Sequence, residues 1–266
     1  MPVGVSAPSL RNSLRVQGRV IWALLLREVI TRFGRRNLGV LWLIGEPMLF
    51  TLGVTALWSA AQLNHGSGIP IVAFAITGYS SVLMWRNAVS HCTHAIQSNL
   101  NLLYHRNVQP IDVFAARIWL EVIGASASFL VLAVFFTAIE MMQPPVDALL
   151  VVGGWLMLAW FGGALALLVG AAATFSELVK RLWSPMSYLL FPLSGAAFMV
   201  DWLSPAARDI VLLLPMVHGV EMLREGYFGN VVPTHYDIGY MAVCNLVLLF
   251  FGLVLTTMAS RRVEAE

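Results

Sequence analysis

The chain has 266 residues, of which 59% are hydrophobic and only 11% charged, and its mean hydropathy is +0.78. Because a soluble domain carries about 25% charged residues, this composition indicates an integral membrane protein. It excludes a soluble enzyme, a disordered binder and a disulfide framework. The net charge is only +2, and we expect no nucleic-acid partner.

The first residues divide into a tail and a helix. Residues 1–14 lack the basic, apolar and small-residue series of a cleaved signal peptide, and we assign them no role. Residues 15–36 are largely apolar but carry several arginines, and Glu28 lies one helical turn before Arg32, which favours an ion pair. We predict an amphipathic helix in the cytoplasmic interface. Burial of this helix against other spans of the protein fits the sequence equally well.

Six long apolar stretches follow, and together they predict an all-α permease domain over residues 37–262. The predicted membrane spans are residues 37–63, 66–85, 117–139, 148–175, 182–200 and 238–260. The first span contains Glu46 beside Pro47, and an acid inside a span is either functional or turned into the helix bundle as a structural partner. The apolar run at residues 210–220 is too short to cross a bilayer, so it predicts a re-entrant or interfacial segment before the last span, with a surface helix as the alternative.

The arginines predict the orientation of these spans. In the six-span arrangement, fourteen of the sixteen Arg and Lys residues lie on the side of the two termini, and only Arg208 and Arg224 lie on the other. Since basic residues favour the cytoplasmic side, both termini are predicted to be cytoplasmic. In a bacterium this places the chain in the inner membrane as a multi-pass protein.

Few residues could carry chemistry. The single lysine, Lys180, lies outside any glycine frame of the Walker type, so if ATP drives this protein it must bind to another chain. Cys92 and Cys244 have no metal-ligand spacing, and His91 and His94 lack a third ligand nearby. We therefore expect no catalytic residue, no metal site and no cofactor on this chain.

Two further patterns lie within the spans. Arg117 and Glu121 are one turn apart, and we expect them to pair with each other. Aromatic rings can stack on the C–H faces of sugars, so a pore for a long glycan would use some of the many aromatic residues. The residues that we select for this role are Trp58, Tyr188, Phe191 and Phe198.

Two stretches resemble a known family. The sequence RFGRRNLGVLW at residues 32–42, followed by Glu46 and Pro47, resembles the join between interface helix and first span in type-2 ABC exporter permeases for polysaccharides. The sequence HGVEMLREGYFG at residues 218–229 resembles the outer segment before the last span in capsule-exporting, KpsM-type members. With the six-span arrangement, the resemblance covers residues 19–262.

The resemblance implies a homodimeric permease that works with two copies of a cytoplasmic ABC ATPase, on which ATP and Mg²⁺ bind. It implies a lipid-linked capsular polysaccharide as cargo and a periplasmic adaptor that leads to an outer-membrane exporter. The residues that would contact the ATPase are Glu28, Val29, Arg32, Phe33, Asn99 and Arg106. Those at the entrance to the path are Arg35, Arg36, Trp42 and Glu46, and those of the periplasmic segment, which would meet the adaptor, are His218, Glu221, Arg224, Glu225 and Tyr227.

Other functions remain open at the level of sequence. The same kind of exporter could move O-antigen or a teichoic acid, which analysis of the cargo would distinguish. A membrane-embedded glycan-modifying enzyme would use His91, His94 or Glu46, and an ion-coupled carrier would depend on Glu46. The last two lack the clusters of acidic and histidine residues that their chemistry requires.

Overall fold

The computed structural model describes residues 10–33, 39–61, 68–103 and 108–263, and within these ranges the chain forms helices and turns without a strand. This confirms the predicted all-α class. In chain order the helices are α1 (Leu10–Phe33), α2 (Gly39–Ala60), α3 (Ile71–Cys92), α4 (Leu100–Leu103), α5 (Pro110–Ala138), α6 (Ala148–Phe175), α7 (Glu177–Leu193), α8 (Pro205–Val211), α9 (Pro215–Phe228) and α10 (Ile238–Val263).

Four of the described helices are long and apolar enough to cross a membrane. They are α2 over Leu41–Ala60, α5, α6 and α10 over Ile238–Arg261, and they coincide with four of the predicted spans. The predicted spans 66–85 and 182–200 correspond to α3 and α7. Of these, α7 has only 17 residues, because the chain turns at Gly195, whose φ is +83°. The six-span arrangement therefore stays a prediction.

Side-chain caps explain where the long helices begin. The Asp147 carboxylate accepts hydrogen bonds from the backbone N–H groups of Leu149 and Leu150, which are otherwise unpaired at the start of α6. Helix α5 begins with a reciprocal capping box between Gln109 and Asp112. These caps place the helix starts at the residues where the polar loops end.

Helix α6 lies at the centre of the bundle, packed against α3, α9 and α10. Its backbone approaches its neighbours closely at two glycines. A Cβ atom at Gly154 would lie 2.7 Å from the backbone nitrogen of Leu223 in α9, and one at Gly162 would lie 2.7 Å from Cβ of Trp85 in α3. The Trp85 side chain is fully buried and packs edge to face on Phe161. The core is therefore formed around α3, α6 and α9.

The helices at the periphery of the bundle are less buried than those of the core. Helix α1 packs on α5 and α2, as the predicted burial against other spans requires, while its place relative to a membrane stays a prediction. In contrast, α2 and α10 leave most of their apolar side chains exposed, and the buried residues of α7 are Trp183 and Ser187. Such apolar faces are stable against lipid or another protein chain but not against water.

Candidate functional site: a charged junction and a buried polar helix

A network of charged side chains joins α1 to α3 and α5. This charged junction consists of Glu28 and Arg32 on α1, His91 on α3, and Arg117 and Glu121 on α5. The Glu28 Oε1 atom lies 2.9 Å from Nε of Arg32 and 3.1 Å from Nε of Arg117. The Glu121 Oε1 atom accepts a 2.6 Å hydrogen bond from Arg32 and lies 2.7 Å from Nδ1 of His91. Each carboxylate is therefore shared between two nitrogen-bearing side chains.

Of the two ion pairs predicted here, one forms in the charged junction and the other does not. The Glu28–Arg32 pair forms as the spacing indicates. The expected pairing of Arg117 with Glu121 is wrong, because α1 packs alongside α5 and offers each of these residues an oppositely charged side chain of its own. Arg117 also donates a hydrogen bond to the backbone oxygen of His91. Three helices are thus held by charges that would be costly to bury singly.

A second set of contacts extends from α1 to α7 through the segment 93–103. Arg27 donates a 2.6 Å hydrogen bond to the buried side chain of Asn99. The Gln97 amide donates to Glu177 at the start of α7, and Lys180 forms an ion pair with the same carboxylate. The Lys180 ammonium and the Gln97 amide hold the pKa of the Glu177 carboxyl below its usual value. The segment 93–103 therefore links α1 to α7.

A cavity of about 280 Å³ lies beside the charged junction. Arg32, His91 and Glu121 of the junction line one part of it, and Trp42 and Glu46 of α2 line another. Among the predicted residues, one assigned to the ATPase contact and two assigned to the path entrance therefore line the same space. Glu46 therefore lies on the wall of a cavity that it shares with the charged junction.

The four aromatic residues selected for the path do not form one continuous surface in a single chain. Tyr188 is 64% exposed and lies under the guanidinium of Arg86, whose carbon is 4.6 Å from the ring centroid. Phe191 packs edge to face on Tyr79. Trp58 belongs instead to an aromatic cluster with Phe74 and Trp202, and Phe198 is half-buried against a separate cluster around Val200.

Arg86 is not among the site residues selected from the sequence, although its position in an apolar helix could have indicated it. It lies within α3 among apolar and hydroxyl side chains, and a charged residue in such a position is unusual. In the described ranges, its charge meets the Tyr188 ring and no carboxylate.

Helix α9 is almost entirely buried, although its sequence is rich in polar residues. Four side chains at three-residue intervals carry this pattern: His218, Glu221, Arg224 and Tyr227. A step of three residues turns about 300° around an α-helix, so the four side chains spread around half of its circumference. The four side chains together therefore reach the segments on several sides of α9.

The partners of these four side chains are backbone groups of the loops around α9. His218 contacts the oxygen of Leu212 at 2.8 Å and accepts from the N–H of Asp237, and Glu221 accepts from the N–H groups of Val200 and His235. Arg224 donates to the carbonyl oxygens of residues 195, 196 and 198, and Tyr227 donates to that of Gln143. Buried backbone groups need such partners where no water reaches them.

These contacts bear on the predicted role of the periplasmic segment. His218, Glu221, Arg224 and Tyr227 are buried and face this chain's own backbone, while Glu225 is partly exposed and accepts a hydrogen bond from Thr234. The four buried residues hold α9 to the loops around it. Contact with an adaptor stays a prediction.

The remaining predicted residues divide into two groups. Val29 is half-buried on α1. Arg35, Arg36 and Arg106, together with the side chain of Phe33, lie outside the described residues. Within the described ranges, no group of three His, Cys, Asp or Glu residues is placed to hold a metal ion, and His91 contacts Glu121 rather than His94.

Comparison with known proteins identifies similar sequences. Residues 19–228 match the family described as ABC-2 type transporter. The chain is 43% identical over 255 residues to the capsule polysaccharide export inner-membrane protein CtrC of Neisseria meningitidis serogroup B, covering 96% of both chains. It is 41% identical over 256 residues to the capsule polysaccharide export inner-membrane protein BexB of Haemophilus influenzae, covering 96% of this chain and 97% of BexB. The polysialic acid transport protein KpsM of Escherichia coli is 28% identical over 246 residues.

Proposed function

Because this chain belongs to the ABC-2 type transporter family, we propose that it is the membrane subunit of an ATP-driven exporter that moves a lipid-linked capsular polysaccharide across the bacterial inner membrane. The observation that carries the proposal is the identity of 43% with a capsule export inner-membrane protein over nearly the whole of both chains. The apolar helices α2, α5, α6 and α10 support it, since they are long enough to form a path through a bilayer.

In this proposal ATP and Mg²⁺ bind to a separate ABC ATPase subunit, and two copies of each subunit form the complex. The chain contains no Walker-type glycine frame around its single lysine, which supports the division of labour. We further propose that both termini face the cytoplasm and that a periplasmic adaptor receives the polymer. The distribution of arginines supports this orientation.

The charged junction gives a physical route from the ATPase to the membrane path. A partner that moves α1 also acts on α5, because Glu28 and Arg32 are bound to Arg117 and Glu121. It acts on α3 as well, because Glu121 also contacts His91. Separating these groups would leave charges buried without partners. The cavity beside the junction contains Glu46 and Trp42, so a movement of α1 changes the space at the proposed entrance. The link from α1 through Asn99 and Gln97 extends the same movement to α7.

The test is deletion of the gene in its host, followed by fractionation of the long-chain glycan among cytoplasm, membranes and cell surface. Export predicts full-length polymer trapped inside the cells and a bare surface, with recovery when the wild-type gene is returned. Surface polymer at the normal level would contradict the proposal. Polymer that reaches the surface in chemically altered form would instead support the glycan-modifying enzyme.

A second measurement tests the division of labour between subunits. The purified chain is expected to hydrolyse no ATP until the ABC ATPase subunit is added. Rapid ATP hydrolysis by the purified chain alone would contradict the proposal that a separate subunit hydrolyses ATP. Composition analysis of the trapped polymer separates a capsular cargo from O-antigen or a teichoic acid.

A further inference from the structure

Helix α7 is held in the protomer at few points. Its buried residues are Trp183, whose indole N–H donates to Ser90, and Ser187. Phe191 adds an edge-to-face contact with Tyr79 on α3. Arg86 on α3 stacks on the Tyr188 ring, and Gln97 donates to Glu177 at the start of the helix. Most of the remaining side chains are exposed. The position of the outer end of α7 therefore depends on what holds the turn that follows it.

One side chain from α9 holds that turn. Nη1 of Arg224 donates to the carbonyl oxygens of Gly195 and Phe198, and Nη2 donates to that of Ala196, at 2.5–2.6 Å. The guanidinium also stacks over the ring of Phe74 on α3, with its carbon 3.8 Å from the ring centroid. Arg224 is fully buried, so no water competes for these donors. The guanidinium thus joins the turn after α7 to both α9 and α3.

The electrostatics of this contact favour arginine in particular. Each backbone carbonyl oxygen carries partial negative charge, so the three carbonyls of the turn together stabilise the buried cation. Arg224 makes no direct ion pair in the described ranges, so these three carbonyls and the Phe74 ring provide its main stabilising contacts. A planar guanidinium can donate in several fixed directions at once, whereas a lysine ammonium is a point charge on a flexible stem.

A glycine on α3 makes room for the same contact. A Cβ atom at Gly78 would lie 2.5 Å from Nη2 of Arg224 and closer still to the carbonyl oxygen of Ala196. An alanine there would have to push the arginine, the turn or both away from α3. Gly78 and Arg224 are 146 positions apart in the sequence, yet both determine where the turn lies. They allow the same displacement to be produced in two independent ways.

We propose that Arg224 is a positioning residue for export: it fixes the outer end of α7 so that the exposed face of this helix, including Tyr188, stays aligned along the polymer path. This inference rests on the proposed function for its transport readout. Its structural part, the control of α7 by Arg224, can be measured without cargo or ATP. Arg224 acts through α7 and is not itself required to touch the polymer.

The transport test uses vesicles that contain the complete transporter with its ATPase subunit. Polymer translocation and ATP hydrolysis are measured separately for Arg224→Lys and Gly78→Ala. The matched controls are Arg208→Lys, which alters the other arginine on the outer side, and Gly163→Ala, where the nearest atom to the added methyl group is 3.4 Å away. We expect both test variants to assemble and hydrolyse ATP, while polymer translocated per ATP falls about tenfold. The controls should retain the wild-type ratio.

The structural test measures the distance between spin labels on α6 and α7. Labels are attached to cysteines introduced at the exposed positions Val152 and Leu189, after replacement of Cys244. Arg224→Lys and Gly78→Ala are expected to shift or broaden this distance relative to the wild type and the two controls. Arg224→Gln is added because it removes the charge and should give the largest change.

The outcomes separate the inference from the proposed function. Unchanged label distances in the test variants overturn the inference. It is also overturned if translocation per ATP stays at the wild-type value, because the defect would then lie only in the amount of folded complex. A wild-type transporter that hydrolyses ATP but moves no polymer contradicts the proposed function, and the label distances still decide the role of Arg224.

Discussion

Nε of Arg117 on α5 lies 3.1 Å from Oε1 of Glu28 on α1, and both side chains are about nine-tenths buried. A helix that precedes the first predicted span is therefore bound to the third predicted span inside the protein. This relationship defines how α1 can move, and it gives the first of four predictions.

Arg117→Gln should strongly destabilise the contact between α1 and α5. The substitution leaves Glu28 buried with one partner instead of two, and loss of one member of a buried ion pair costs about 3–5 kcal/mol. Glu28→Gln together with Arg117→Gln should cost less than the sum of the single changes, because the uncompensated charge is gone. Thermal unfolding of the purified protein measures both.

Arg19→Gln is the control for this comparison. Arg19 is exposed on the same helix and makes no ion pair within the described ranges, so its loss should change stability by less than about 0.5 kcal/mol. Equal effects of Arg19→Gln and Arg117→Gln would contradict the importance of the charged junction.

Two adjacent glycines on α6 should respond differently to alanine. A methyl group at Gly162 would lie 2.7 Å from Cβ and 2.9 Å from Cα of Trp85, so α3 and α6 would have to move apart. Overpacking of this kind costs about 1–3 kcal/mol. At Gly163 the nearest atom is Ile118 Cγ2 at 3.4 Å, and the gain in helix propensity makes Gly163→Ala neutral or slightly stabilising. Melting temperatures in one detergent would show this contrast, and equal losses would argue against close packing at Gly162.

Cysteine labelling should establish the orientation of the chain. After replacement of Cys244, cysteines introduced one at a time at Gln143 and Asn230 are expected to react with a membrane-impermeant maleimide added to spheroplasts, while Cys92 is buried. A cysteine at Gln97 should react only after lysis. All three positions are exposed in the protein, so protection reports the membrane side. Reaction of Gln97→Cys in intact spheroplasts would contradict cytoplasmic termini in the six-span arrangement.

Tyr227→Phe should weaken the attachment of α9 to the loop between α5 and α6. The substitution removes the hydroxyl that donates to the backbone oxygen of Gln143 and leaves the ring in place. The expected loss is about 1 kcal/mol, typical of one hydrogen bond. Hydrogen exchange in residues 143–147 should increase more than in α10, and an unchanged exchange rate in the loop would show that the bond contributes little.

The features that could be predicted from the sequence are those set by residues close together along the chain. Apolar length located α5, α6 and α10, and one-turn spacing predicted the ion pair of Glu28 with Arg32. Spacing alone also suggested a pair between Arg117 and Glu121, and there it failed, because their partners come from a helix about 90 residues earlier. Local spacing cannot show which helices pack together.

Helix α9 shows even more clearly that local sequence does not reveal which segments pack together. The polar residues of α9 look like an exposed, partner-binding sequence, and their residue types do not reveal that they are buried. Their partners, such as Ala196 and Gln143, are backbone atoms, which leave no complementary residue type to recognise in the sequence. The three-residue interval from His218 to Tyr227 is the one signal that could have indicated a buried role.

The burial of α9 also determines the order in which the chain can mature. Synthesis proceeds from the N-terminus, so the loop at 143–147 and the turn at 195–198 leave the ribosome before α9. Until then the carbonyl groups that Arg224 and Tyr227 will contact have no partner from this helix. A chain truncated before residue 215 would therefore carry its earlier helices but an unfinished outer face, which cellular proteases can recognise.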